Sequence, residues 1–225
     1  MSAIYSNITP NFKIFTLPTG PLQTNSTFII HKESKKLILI DSGHEAELSL
    51  KVIKEEDLSL ERVLLTHAHF DHIGALQKIM GEKKYPLHMH KDDLALYQRC
   101  KSDALRYGLD FSDQPKVSHF FSDEDELLFF ENDSLRLKVI HTPGHTAGGT
   151  CFFTESFGTP LLVAGDTLFS GSIGRTDLPG GNHEQLLDSI RTKLFSLPPE
   201  TIVITGHGET TTIGKESRTN PFVKL

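Results

Sequence analysis

The stretch RVLLTHAHFDH, residues 62–72, joins an apolar run to a cluster of three histidines and one aspartate. The apolar run predicts a buried strand. Residues two apart share a face of an extended chain, so His67 and His69 can face one metal ion. Asp71 and His72 fall where the next predicted helix begins, turned toward a neighbouring position. This mixture of imidazole and carboxylate groups suits zinc, iron or manganese.

Three further candidate ligands each follow a predicted buried strand and a glycine. His145 lies in HTPGH, Asp166 in AGDT and His207 in TGHG. Any one of them alone would be interpreted as an ordinary turn residue. A rigid sheet can direct loop residues toward a common point, however, so four strand ends that meet at one edge would build a site.

The seven candidates provide enough ligands for two divalent ions per chain. The first ion would be held by His67, His69 and His145, the second by Asp71, His72 and His207, and Asp166 would bridge them. Two such ions against two carboxylates leave excess positive charge, so a bound water should ionise near pH ~7 and provide a hydroxide nucleophile. We expect zinc, with iron or manganese as alternatives, and we assign catalytic roles to Asp71 and Asp166.

The composition narrows the class of protein. The chain has 225 residues, is 37% hydrophobic and carries a net charge of −6, which argues against a nucleic-acid partner. No apolar run approaches the ~18 residues of a membrane span, and the amino-terminal residues show no secretory signal. Only Cys100 and Cys151 are present, which favours a cytoplasmic protein without disulfides. We expect a monomer or small homo-oligomer that acts on a small molecule.

Short apolar runs alternate with helical patterns along the whole chain. The predicted strands are Thr27–His31, Lys36–Ile40, Arg62–Thr66, Leu87–His90, Leu135–Ile140, Gly149–Phe153, Pro160–Ala164 and Thr201–Thr205. The predicted helices are Glu45–Glu55, Ile73–Met80, Asp92–Gly108 and His183–Leu197. Two sheets stacked between helices accommodate this order, which predicts an α/β protein with an αββα sandwich. No linker-like segment divides the chain, so we expect one domain over residues 1–225.

The motifs HAHFDH, HTPGHT, GDTLF and GHG, in this order, resemble those of the metallo-β-lactamase superfamily. GSIGRTDLPGG (residues 171–181) and TIGKESRTNPF (residues 212–222) are similar to the glyoxalase II-like branch. The resemblance implies the αββα sandwich, the ligand set above and hydrolysis of hydroxyacylglutathione-type thioesters.

The resemblance also implies roles for two residues outside the ligand set. Asp41 would orient a ligand histidine, whereas a turn residue closing a strand is the alternative interpretation. Arg175 would face a carboxylate of the substrate, whereas a structural pairing with Asp177 or Glu184 is the alternative. We expect a single-domain form without the helical carboxyl-terminal domain of classical glyoxalase II, which leaves the identity of the substrate open.

A second enzyme class shares the same motif residues. This sequence also resembles the persulfide dioxygenases. That resemblance implies a single iron, held by His67, His145 and Asp166. GSIGRTDLPGG and the absence of other redox signals favour the hydrolase. Two further histidines, His88 and His90, are also spaced two apart, but no acidic partner is apparent and we interpret them as part of a surface strand.

Overall fold

Two β-sheets lie face to face in the computed structural model, which describes residues 3–130 and 135–223. The first sheet has seven strands in chain order: β1 Tyr5–Ile8, β2 Phe12–Thr19, β3 Thr24–His31, β4 Lys36–Ile40, β5 Ser59–Leu64, β6 Leu87–His90 and β7 His119–Phe121. Strands β1 to β4 pair antiparallel, and β4 to β7 pair parallel. The parallel half therefore brings the carboxyl ends of β4, β5 and β6 to one edge.

The second sheet has six strands in the order β15-β14-β11-β10-β9-β8. Their bounds are β8 Glu126–Phe129, β9 Leu135–His141, β10 Thr150–Thr154, β11 Leu161–Gly165, β14 Ile202–Thr205 and β15 Thr211–Thr212. Strands β11 and β14 are parallel, so the loops that follow them leave the sheet side by side. A short hairpin of β12 Leu168–Phe169 and β13 Ser172–Ile173 follows β11.

Helices cover the outer face of each sheet. Their bounds are α1 Glu47–Glu55, α2 Phe70–Ile73, α3 Leu76–Met80, α4 Leu94–Arg106, α5 His183–Ser189 and α6 Ile213–Thr219. A 3-10 turn over Lys91–Asp93 precedes α4, and a π-helical stretch over Ile190–Leu194 follows α5. Within residues 3–130 and 135–223, no helix has both the length and the apolar character needed to cross a membrane.

Alternating burial along the strands explains the layers. In β4, Ile38 and Ile40 pack into the core between the two sheets, whereas Leu37 and Leu39 pack on the opposite face. That opposite face is covered by α3 and α4, and a third apolar cluster joins the second sheet to α5 and α6. Because successive side chains of a strand point to opposite faces, an all-apolar strand must be covered on both sides. The αββα prediction is confirmed.

Several elements differ from the sequence prediction. The helix predicted over Ile73–Met80 begins earlier, at Phe70, and is divided into α2 and α3. The earlier start puts Asp71 and His72 in its first turn. The sequence prediction also missed β1 and β2, because Lys13, Thr16 and Pro18 interrupt the apolar pattern of β2.

The interpretation of His88 and His90 as a surface strand is wrong. Both side chains are buried, with exposures of 7% and 5%. The prediction missed β7, which pairs with β6 and makes it an interior strand. His88 stacks on His119 with ring centroids 4.4 Å apart, and His90 stacks on His141 at 3.9 Å. These ring contacts replace the solvent that the sequence interpretation assumed.

Replacement of Phe152 by alanine should destabilise the protein by about 3–5 kcal/mol, because the ring is fully buried between the sheets and its loss leaves a cavity. Urea unfolding followed by circular dichroism measures this loss. Leu128→Ala, at a side chain 61% exposed on β8, is the matched control and should change stability by less than about 0.5 kcal/mol. Equal effects of the two substitutions would contradict the assignment of Phe152 to the inter-sheet core.

Candidate metal centre

Strand ends bring all seven predicted ligands together at one edge of the sandwich. His67 and His69 follow β5, and Asp71 and His72 lie in the first turn of α2. The other three follow strands of the second sheet: His145 after β9, Asp166 after β11 and His207 after β14. The edge therefore combines ligands from both sheets, as parallel strand ends and short turns allow.

The first trio consists of His67, His69 and His145. One ring nitrogen from each lies within 4.8 Å of the others. The Nδ1 atom of His69 is 2.9 Å from the Nε2 atom of His145, and the rings meet edge to face. Nitrogen atoms converge here from two loops, which is the arrangement expected of ligands to one ion.

The second trio consists of Asp71, His72 and His207, and its ligand atoms also lie within 4.8 Å of one another. The Oδ2 atom of Asp71 is 3.3 Å from Nε2 of His207 and 3.6 Å from Nε2 of His72. This trio differs from the first because it contains a carboxylate, so it offers a mixed nitrogen and oxygen set.

Asp166 lies between the two trios. Its Oδ2 atom is 3.5 Å from Nε2 of His145, in the first trio. Its Oδ1 atom is 3.3 Å from Nε2 of His72 and 3.6 Å from Nε2 of His207, in the second. One carboxylate therefore presents one oxygen to each trio, which is the geometry of a bridging ligand.

Contacts outside the trios determine which nitrogen faces the centre. The Nδ1 atom of His72 donates to the Oδ2 atom of Asp41 at 2.8 Å. The Nδ1 atom of His145 donates to the carbonyl of Arg175 at 2.7 Å, and that of His207 donates to the carbonyl of Leu22 at 3.0 Å. A nitrogen that donates in this way carries the ring proton, so the Nε2 atom keeps its lone pair for a cation.

The donor set fits divalent metal ions. Three polar atoms of the centre, Nε2 of His67, Nε2 of His72 and Oδ1 of Asp166, are buried with no hydrogen-bond partner in the part of the chain that the structure describes. A buried polar atom without a partner destabilises a fold, so such atoms point to a missing ligand. Metal ions of +2 charge would satisfy them at the point where they converge.

The electrostatics differ between the two trios. In the first, burial and then the neighbouring His145 lower the pKa of His69 to about 3. Burial and then His72 hold the pKa of His67 well below its ordinary value. Both rings are therefore neutral near pH 7 and keep lone pairs that can bind a metal ion.

In the second trio burial also disfavours charge, but the carboxylates outweigh it. Asp71 and Asp166 are the main groups that raise the pKa of His72 well above its ordinary value. The same two carboxylates raise the pKa of His207 to about 10 against the effect of burial. Positive charge is thus stabilised between two carboxylates, and a metal ion would replace the two ring protons.

Two glycines make room for the bridging carboxylate. A Cβ atom on Gly206 would lie 2.0 Å from the Oδ1 atom of Asp166, and one on Gly174 would lie 1.9 Å from its carbonyl oxygen. Any side chain at either position would displace Asp166. Glycine is therefore required at positions 174 and 206 by the close approach of Asp166.

Comparison with known proteins decides the family. The sequence pattern of the Metallo-beta-lactamase superfamily matches residues 19–207. This chain belongs to the metallo-β-lactamase superfamily. It is 38% identical over 208 residues to hydroxyacylglutathione hydrolase GloC of Haemophilus influenzae, with 92% of this chain and 96% of GloC covered.

Solved structures of this superfamily agree. The di-iron-bound form of TTHA1623 is 37% identical with a TM-score of 0.82, covering 93% of this chain and 100% of that one. The B3 metallo-β-lactamase BLEG-1 is 36% identical with a TM-score of 0.81, covering 93% and 99%. ETHE1 of Myxococcus xanthus is 27% identical with a TM-score of 0.75, covering 92% and 83%.

Asp41 lies where the resemblance to the superfamily placed it, beside a candidate ligand. It is buried and accepts hydrogen bonds from the backbone N–H of Thr66 (2.8 Å), the hydroxyl of Thr66 (2.6 Å) and Nδ1 of His72 (2.8 Å). The Thr66 hydroxyl oxygen is also 3.1 Å from Nδ1 of His67. Asp41 therefore contacts one candidate ligand histidine directly and a second through Thr66, and its role in orienting them stays a prediction.

The Arg175 side chain lies on the surface, 58% exposed, and donates in a fork to Asp177 at 2.7 and 2.8 Å. This is the structural pairing that was the alternative interpretation. The backbone carbonyl of Arg175 accepts a hydrogen bond from Nδ1 of His145. Sequence reasoning did not anticipate this contact with the centre. Contact of the Arg175 side chain with a substrate stays a prediction.

Sequence reasoning missed Asp93, which joins the two loops of the first trio. This buried carboxylate accepts from the backbone N–H of Ala68 (3.0 Å), the hydroxyl of Thr146 (2.9 Å) and the backbone N–H of Gly148 (2.6 Å). Ala68 lies between His67 and His69, and Thr146 follows His145. Asp93 lies in the polar segment KDD, which carries no sequence signal of burial.

Two polar residues at the start of β3 support the second trio and were also missed. The Thr24 hydroxyl donates to the Oδ2 atom of Asp71 at 3.1 Å. The Asn25 side-chain amide donates to the carbonyls of Thr205 and Gly208, both at 2.9 Å, and so holds the His207 loop from both sides. Polar residues that open an apolar strand were the available signal.

The tail motif TIGKESRTNPF supports the hairpin β12–β13. Glu216 is buried and accepts from the backbone N–H of Gly171 (2.9 Å) and the side-chain amide of Asn220 (2.8 Å). Asn220 also donates to the carbonyl of Ser172 at 3.0 Å. The hairpin ends two residues before Arg175, whose carbonyl accepts a hydrogen bond from His145. The tail therefore supports the segment that contacts His145.

Replacement of Asp41 by asparagine should lower the affinity for Zn²⁺ by about 10–100-fold, because His72 loses its acceptor and can present the wrong nitrogen. Chelator competition at equilibrium measures the affinity. Asp113→Asn, at a carboxylate that is 90% exposed, is the control and should leave it unchanged. Unaltered affinity in a folded Asp41→Asn protein would show that Asp41 does not orient a ligand.

Proposed function

We propose that this metallo-hydrolase uses two divalent ions, most suitably zinc, to cleave thioesters of the hydroxyacylglutathione type. The observation that carries the proposal is the complete double trio with the Asp166 carboxylate shared between its halves. When bound, such ions polarise a carbonyl group and lower the pKa of water near them. Iron and manganese accept the same donors and are alternatives.

The protein's own groups suit this reaction. Burial raises the pKa of Asp71, but His72 and His207 outweigh it and lower that pKa to about 2, so Asp71 is an ionised acceptor at neutral pH. The Thr24 hydroxyl holds one of its oxygens. The leaving group of a thioester is a thiolate whose parent thiol has a pKa of ~8.5, so it can leave without a dedicated general acid. The leaving nitrogen of an amide, by contrast, must be protonated. A site made of candidate metal ligands and of the groups that accept hydrogen bonds from them therefore favours a thioester over an amide as the substrate.

Two similar proteins support the proposal. GloC is named a hydroxyacylglutathione hydrolase, and that protein and this chain align over nearly their full lengths. TTHA1623 was solved in a di-iron-bound form, which supports two ions and keeps iron as an alternative metal. Cys100 and Cys151 are both unpaired and buried, consistent with the cytoplasmic location that we propose.

A mononuclear iron persulfide dioxygenase is the second candidate. The observation that favours it is the two-histidine, one-carboxylate subset of His67, His145 and Asp166, in which His145 and Asp166 approach to 3.5 Å. This candidate gives no metal role to Asp71, His72 and His207, which nonetheless form a second trio. We therefore favour the hydrolase.

Metal content should approach two ions per chain in protein loaded with Zn²⁺ and freed of excess. Asp166→Ala should lower the occupancy of both positions because one oxygen faces each trio. Asp71→Ala should lower only the second occupancy. Plasma-emission spectrometry counts the ions. A single ion per chain that is unaffected by Asp71→Ala, or a single iron per chain in protein purified without added metal, would refute the dinuclear centre.

Thioesterase activity should be measurable on S-D-lactoylglutathione and should fall by about 100-fold in Asp71→Ala, which removes a ligand and a proton acceptor. Loss of the thioester absorbance follows the reaction, and Asp113→Ala provides the control at an exposed carboxylate. An oxygen electrode with glutathione persulfide tests the second candidate. Oxygen uptake without thioester cleavage would favour the dioxygenase.

A further inference from the structure

A small cavity of about 190 Å³ opens directly beside the first trio, next to His69. Residues of helix α4 line it, together with Leu178 and Pro179 of the loop that precedes α5. Phe70, which follows His69, also lines it, and the ring of Tyr107 lies with its centroid 5.2 Å from that of Phe70. A group bound here would adjoin the proposed reaction centre.

The residues of α4 that line this cavity lie on one face of the helix. Leu96, Arg99, Asp103 and Arg106 are three or four residues apart, so they lie on the same side of the helix. The charged lining from this helix is therefore two guanidinium groups and one carboxylate. Asp103 contacts both arginines, at 3.1 Å from Arg99 and 3.4 Å from Arg106, which leaves one net positive charge on the wall.

Both guanidinium groups keep donors for a further partner. Arg99 uses Nε toward Asp103 and one terminal nitrogen toward the carbonyl of Pro179, at 3.0 Å. Arg106 contacts Asp103 at 3.4 Å and is 76% exposed. Each guanidinium has five N–H donors in a planar arrangement that matches a carboxylate. Both arginines can therefore donate hydrogen bonds to a bound anion.

We infer that this α4 cavity binds a short, carboxylate-terminated arm of the thioester, with Arg106 and Arg99 as the residues that select it. The cavity volume equals about six water volumes, which suits an arm of a few carbon atoms. Phe70, Leu96, Leu178 and Pro179 would contact the carbon chain. This inference rests on the proposed function, because it assumes that the scissile bond lies at the metal centre.

The inference differs from the role that the sequence suggested for Arg175. Asp177 occupies the guanidinium fork of Arg175. On α4, by contrast, a single carboxylate serves two arginines. A substrate carboxylate would complete the charge balance there without breaking an existing fork.

Three thioesters test the subsite. Butyryl-N-acetylcysteamine is neutral, glutaryl-N-acetylcysteamine carries a carboxylate on its acyl arm, and S-butyryl-3-mercaptopropionate carries it on the thiol arm. Arg106→Gln should raise KM about tenfold for the charged arm that enters the cavity and leave KM for the neutral thioester unchanged. Arg99→Gln/Arg106→Gln should enlarge that difference. The charged substrate that responds identifies which arm is bound.

Lys101→Gln is the matched control, because it removes a cation from the same helix at a residue that pairs with Asp113 and does not line the cavity. It should leave KM for all three thioesters unchanged. Equal rises for the neutral and both charged thioesters in Arg106→Gln, or no rise in the double variant with its melting temperature retained, would overturn the inference.

A binding measurement separates the subsite from the reaction. Calorimetric titration of the Zn²⁺-loaded protein should show that glutarate binds more tightly than butyrate, since each has one carboxylate for the metals but only glutarate has a second for α4. The difference should vanish in the double variant. Tighter glutarate binding without cleavage of any thioester would refute the proposed function alone, whereas equal affinities in the wild type would refute the subsite.

Discussion

Three hydrogen bonds to the buried carboxylate of Asp41 connect the elements that carry the first four ligands. Two come from Thr66, two residues after the end of β5, and the third comes from His72 in α2. Asp41 holds a backbone φ of +54°, a conformation that is uncommon outside glycine. Such a conformation persists where the surrounding contacts over-determine it. These bonds fix the two ends of the HAHFDH segment relative to the end of β4.

Buried carboxylates hold the remaining loops in the same way. Asp93 joins the His67–His69 loop to the loop that carries His145. Glu216 joins the carboxyl-terminal helix to the β12–β13 hairpin. Each of them accepts hydrogen bonds from more than one segment, which compensates for its burial. The loops at the candidate metal centre are therefore held by hydrogen bonds although they contain little regular structure.

The centre itself lacks this compensation. Its three buried atoms without partners, on His67, His72 and Asp166, would each destabilise the fold by about 1–3 kcal/mol. Divalent metal ions held by these residues would provide the missing partners. Asp41 and Asp93 meanwhile hold the segments that carry His67, His72 and His145 through hydrogen bonds.

Much of the fold and of the site was predictable from local pattern. The apolar runs predicted the interior strands, such as β4 and β11, because an all-apolar strand must be covered on both faces. The motifs after the strands predicted all seven residues that meet at the centre. The edge strands β1 and β7 were not predictable in this way, because partly exposed strands lack a continuous apolar run. His88 and His90 were misjudged for the same reason.

The sequence by itself determined the family, the layered architecture and the identity of the residues at the centre, because ligand chemistry and strand periodicity are written in short segments. Only the tertiary structure decided which groups hold those residues. Asp93, Asn25 and Glu216 contact partners that are distant along the chain, and the residues next to them in sequence do not identify those partners. The cavity along α4 likewise depends on how separate segments pack, because α4 and the segment with Leu178 and Pro179 both line it. A hydrogen bond between distant segments exists only after the sheets have brought their ends together.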